Sequence, residues 1–160
     1  MKLLTLLSLI YSSLIFASTD QVEELNEWKN SGFSQVRINF YSNNFKVVQA
    51  VITDDIDGKQ VLEFRYSTKK GKECSNQELN LLTDVVVRIN NVRVRMKSGC
   101  KSALFSKYIG YYASTIKGRE YITTEFSKGE SVRVELQNLK LYFPSQGFNY
   151  AWKKHGDNAI

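Results

Sequence analysis

Apolar and polar residues alternate through most of this chain, and the places where the alternation stops mark its turns and helices. Val36, Ile38 and Phe40 are separated by polar residues, and Ser42-Asn43-Asn44 reads as a turn. Phe45 to Thr53 follows as a β-branched run, Asp57-Gly58 supplies a hairpin turn, and Val61 to Tyr66 gives a third antiparallel strand. A second hairpin is predicted from Val85 to Ile89, Asn90-Asn91 and Val92 to Met96. Tyr108 to Ser114, Ser131 to Leu136 and Leu139 to Phe143 are further strands.

Helical segments are predicted in four places. Asp20 to Asn30 carries Val22, Leu25 and Trp28 at three-residue intervals, with capping residues before it and Gly32 behind it. Tyr121, Ile122, Glu125 and Phe126 form one face of a helix over 117–128, and Gly129 suits its C-cap. Phe148 to His155, between Gly147 and Gly156, reads as a short C-terminal helix, and Asn76 to Leu82 as a single helical turn. The expectation is one α+β domain, an antiparallel sheet of about six or seven strands beneath the helices at 20–30 and 117–128. No internal repeat or linker is visible.

The 160 residues are 42% hydrophobic and 24% charged, an ordinary globular composition, with a net charge of +6. The N-terminus changes this picture. Met1-Lys2 is a short positive region, Leu3 to Phe16 carries no charge, and Ala17-Ser18-Thr19-Asp20 turns small and polar. That is the pattern of a secretory signal peptide over 1–17, with cleavage expected after Ala17, or alternatively after Ser18 because Ile15 is bulky, and with 18–160 as the mature domain. The apolar run is shorter than the ~20 residues of a spanning helix, so no integral membrane segment is expected after cleavage. Cys74 and Cys100, an even pair in a chain bound for the periplasm or for secretion, are expected to form one disulfide.

The pattern of reactive residues argues against familiar chemistry. Asp54-Asp55-Ile56-Asp57-Gly58 resembles a calcium loop, but Thr53 and Phe64 fall where its first and last ligands belong, leaving an acidic hairpin turn. Two Cys and one His cannot fill a zinc site without carboxylates. His155, near the C-terminus beside Lys153 and Lys154, has no nucleophile in motif spacing, and no phosphate-binding Gly-rich loop occurs. Glu120 with Glu125 is an acid pair whose spatial relation the sequence does not give. An enzyme is therefore disfavoured and no cofactor is expected. Nine Tyr and nine Phe could stack on bases, yet no RNA-recognition signature is present and a secreted chain meets little nucleic acid.

The second hairpin carries the strongest chemical pattern. Period-two alternation puts Val85, Val87, Ile89, Val92, Val94 and Met96 on one face. The other face takes Arg88, Arg93, Arg95 and Lys97, with Val86 as the apolar exception and Lys101 as an extension. Four cations on one ribbon suit recognition of carboxylate or phosphate, because Arg forks bind both bidentately. The alternative is a solvated sheet face whose cations pair with acids of neighbouring strands, Glu63 and Glu135 being the candidates.

The segments VRINNVRVRM with Cys100, KGREYITTEFSKGESVRVE and FPSQGFNYAWKKHG resemble, over residues 85 to 156, a pattern in small exported proteins of Gram-negative bacteria. The resemblance implies compartment and fold, with Tyr121, Ile122, Phe126, Phe148, Ala151 and Trp152 as packing residues, and implies no activity. The expected function is a non-catalytic periplasmic or secreted binding or accessory protein. It would act on another envelope or secreted protein, in an immunity, envelope or phage-related role. Alternatives are binding of anionic envelope components such as lipopolysaccharide phosphates, or a small hydrolase of unrecognised type.

Overall fold

A computed structural model describes residues 21–24, 27–29, 31–40, 44–68, 74, 81–103 and 106–157. The signal-peptide region and most of the helical turn expected at 76–82 lie outside them. Nine strands appear in chain order: β1 (Gln21–Glu24), β2 (Phe33–Phe40), β3 (Asn44–Asp54), β4 (Gln60–Thr68), β5 (Thr83–Ile89), β6 (Val92–Ala103), β7 (Ser106–Ala113), β8 (Val132–Leu136) and β9 (Leu139–Phe143). Helix α1 (Ile116–Ser127) sits between β7 and β8, and α2 (Phe148–Asp157) follows β9. All strands join one sheet in the order β1-β2-β3-β4-β7-β6-β5-β8-β9, and every neighbouring pair is antiparallel. β2 and β9, near opposite ends of this order, touch each other, so the sheet curls almost into a barrel.

The α+β class holds, but the sheet has nine strands rather than six or seven. The expected helix at 20–30 is also corrected. Gln21–Glu24 is a strand in register with β2, from Gln21 opposite Asn39 to Glu24 opposite Val36. An isolated helix of that length is marginal in water, whereas the β2 edge offers a complete ladder. Trp28, counted above as part of a helical stripe, is instead a plug in the core. Its indole N–H donates to the Pro144 carbonyl at 2.8 Å and its backbone N–H to that of Gln146 at 2.9 Å.

Alternation fixes the inner face of the curl. Val48, Ala50 and Ile52 of β3 and Leu62, Phe64 and Tyr66 of β4 are buried. So are Val87 and Ile89 of β5, Val94 and Met96 of β6, and Val132, Val134 and Leu136 of β8. The helices pack against this face. Thr115 caps α1 by accepting from the Gly118 N–H at 3.1 Å, and Ile122 and Phe126 point into the core. Trp28 meets Phe126 and Phe148 edge-on at 5.6 and 5.0 Å, and Phe64 meets Phe143 at 5.7 Å. The disulfide Cys74–Cys100 ties the β4–β5 connection to the C-terminal part of β6.

Candidate binding face on the β5–β6 hairpin

Asn90 and Asn91, with φ of 45° and 72°, form the two-residue turn that joins β5 to β6. A type I′ turn matches the right-handed strand twist and places Ile89 opposite Val92, Val87 opposite Val94 and Val85 opposite Met96. Asn90 also anchors the turn. Its side-chain amide donates to Glu125 at 2.7 Å and its side-chain oxygen accepts from the Arg133 N–H at 2.8 Å. Tyr121 donates to the Ile89 carbonyl at 3.1 Å. Lys128 and then Asn90 hold the Glu125 carboxyl below its ordinary range, while burial, reinforced by Glu125, pushes the Tyr121 hydroxyl up.

The outer face carries the cations, as the period-two reading requires. Arg88 lies directly opposite Arg93, Arg95 opposite Val86, and Lys97 opposite Asp84. Lys97 is neutralised, its Nζ 3.0 Å from Asp84. Arg88, Arg93 and Arg95 are exposed and form no ion pair with a described residue. Like charges facing each other across a ladder destabilise it, so these three are not a stabilising arrangement. Val86 stands among them at 51% exposed, and Val92, at the turn, is 46% exposed. Val92 shares the inner face by register, yet sits beside the turn where the core ends.

The acids expected to quench this face are engaged elsewhere. Glu135, in register with Arg88, pairs with Arg133 at 3.0 Å. Glu63 is 1% exposed and bonds Arg65 Nε at 2.7 Å and also Lys101 Nζ. Tyr108 and Tyr112 cover this cluster, with Arg65 5.0 Å from the first ring centre and Lys101 5.2 Å from the second. Burial, then the Glu63 charge, raises the Tyr108 hydroxyl. The Glu63 carboxylate crosses above Gly110, where a Cβ would overlap it, and the Leu81 carbonyl covers the paired Gly99. Sequence reading missed this cluster, although two glycines inside strands are the signal that another group approaches closely.

The remaining sequence candidates are dispersed. Asp55 accepts from the N–H groups of Asp57 and Lys59, each at 2.9 Å, and pairs with Arg119 at 2.6 Å. Its burial favours the neutral acid, but those two N–H bonds and Arg119 outweigh it and hold the carboxyl below its ordinary range. His155 lies 3.5 Å from Asp54 at the end of α2, and Glu120 is exposed on α1.

A groove of about 980 Å³ opens beside the basic face, between β5 and the β8–β9 hairpin tip, with Arg88 and Lys140 among its lining residues. Among the described residues no helix is long and apolar enough to cross a membrane. No protein-family model, curated protein or solved structure matches this chain.

Proposed function

We propose that this chain is an exported, non-catalytic binding protein whose β5–β6 face recognises an acidic surface on another envelope or secreted protein. The observation that carries the reading is the division of the outer face. Arg65, Lys97 and Lys101 are matched by carboxylates, whereas Arg88, Arg93 and Arg95 stand exposed together without one among the described residues. Their ribbon is held by Asn90 and Tyr121, so little backbone entropy at the turn is left to lose on binding. The disulfide is weakly compatible with an oxidising compartment.

The test is Arg93→Glu with Arg95→Glu, assayed by fluorescence anisotropy on a glutamate-rich peptide at low and high salt. Binding should fall sharply at low salt, while stability changes by less than about 1 kcal/mol because the side chains are solvated. Unchanged binding overturns the proposal. Binding confined to anionic lipid vesicles overturns it in favour of a headgroup phosphate.

A further inference from the structure

β5 outruns the strand beside it. Arg88 and Ile89 pair with Glu135 and Val134, and β8 then ends at Leu136 with the chain turning back at Gln137-Asn138. From Thr83 to Val87, β5 is laddered to β6 on one side and to no described strand on the other.

The turn decides which backbone groups this leaves free. A two-residue turn makes Ile89 and Val92 exchange both their hydrogen bonds, so Val87, Val85 and Thr83 also bond to β6. Asp84 and Val86 therefore aim their N–H and C=O groups at the open side. Asn90, of the same parity, confirms the phase by donating across that side to the Arg133 carbonyl at 2.9 Å. The Leu81 carbonyl lies over Gly99 on the outer face of β6, and Leu81 also lines the groove at the end where the chain enters β5.

The space along this edge is the 980 Å³ groove. Val85 and Val87 form one wall, Leu139 the other, and Ile109 and Tyr111 the floor. At its rim stand Arg88 and Lys140, both exposed and neither in an ion pair with a described residue. Five residues of free edge span about 17 Å, room for an equally short extended segment.

We infer that the acidic partner docks by strand addition. An extended segment hydrogen-bonds to Asp84 and Val86, turns alternate apolar side chains into the groove and presents carboxylates to Arg88 and Lys140. This rests on the acidic-partner reading and names how that partner binds. Charge selects the occupant: Glu135, in register with Arg88 and Lys140, is held by Arg133 and Asp84 by Lys97, so a second copy of this chain would bring the same uncompensated cations to the junction, whereas an acidic segment neutralises them.

The experiment uses the full chain and a fluorescein-labelled heptapeptide of alternating valine and glutamate. Anisotropy gives affinity, and amide hydrogen exchange reports Asp84 and Val86. Both amides should become protected when the peptide binds. Val86→Pro removes one edge donor without losing a bond to β6 and should weaken binding about tenfold, while Val86→Thr leaves it unchanged. Binding without protection, or full binding by folded Val86→Pro, overturns strand addition. If Arg93→Glu with Arg95→Glu still abolishes that binding, the acidic-partner reading stands alone. No binding to wild type overturns both. A dimer of the free chain that Val86→Pro dissociates overturns the acidic segment as occupant.

Discussion

Replacing Glu63 with Gln tests whether the polar cluster on the outer face holds the sheet together. Gln keeps the volume and one acceptor over Gly110, but removes the charge from a side chain that is 1% exposed. The amide offers one oxygen, so one cation keeps a hydrogen bond without its ion-pair partner and the other loses its acceptor to the amide NH2, where each bond to the carboxylate is worth about 1.5–3 kcal/mol. Arg65 and Lys101 keep 27% and 31% of their side-chain exposure, so the released cations turn towards water and part of the loss is screened. The expected cost is about 2 kcal/mol, lowering Tm by about 4–8 °C in a chain of this size. Thermal and urea unfolding followed by circular dichroism provide the measurement. Asp84→Asn is the internal control, since its pair with Lys97 is exposed at 76% and 36% and should cost under about 0.5 kcal/mol. Equal losses in the two variants would refute the reasoning. So would a Gly110→Ala penalty that persists undiminished after Glu63→Ala, because the overlap is with that carboxylate.

Trp28→Ala should cost about 3–5 kcal/mol in urea unfolding, because it empties the junction of Phe126 and Phe148 and orphans the Pro144 carbonyl. A loss below about 1 kcal/mol would exclude residue 28 from the core. Cys74→Ala with Cys100→Ala should lose about 3.5 kcal/mol for a sequence separation of 26, matched by reduction of the wild type. For Asp55, a folded-state pKa below the unfolded value means that its stabilisation is present above about pH 4 and is lost as pH falls through the folded value. Asp55→Asn should therefore flatten the decline in urea midpoint below about pH 4; an unchanged slope would assign that decline to other carboxyls.

Local patterns were readable wherever the partner residues lie close in sequence. The β5–β6 and β8–β9 hairpins follow from alternation and two-residue turns, and the helix expected at 117–128 forms at Ile116–Ser127 with Ile122 and Phe126 buried as its spacing implied. Gln21–Glu24 was misread because its state depends on β2, and Trp28 because its hydrogen-bond partners, Pro144 and Gln146, come from the far end of the chain. The binding face shows the same division. Period two suffices to gather Arg88, Arg93, Arg95 and Lys97 on one side. That Glu63 serves Lys101 instead of them follows from β7 lying between β4 and β6, which no local signal reveals. The groove escaped notice for a similar reason, since it arises from β8 being shorter than the strand it pairs with.

The bond from Cys74 to Cys100 also bears on the order in which the sheet assembles. β1 to β4 and β5 to β7 are each a run of neighbouring hairpins, and the seam that joins them is β4 against β7. At that seam Tyr66 pairs with Ile109, 43 positions along the backbone. Through the sulfurs the route is eight positions from Tyr66 to Cys74 and nine from Cys100 to Ile109. Shortening the loop in that proportion lowers the entropic cost of closing it by about 0.8 kcal/mol, a factor of roughly four in rate if the seam forms in the transition state. An oxidising environment would then hasten the meeting of the two halves as well as strengthen their union.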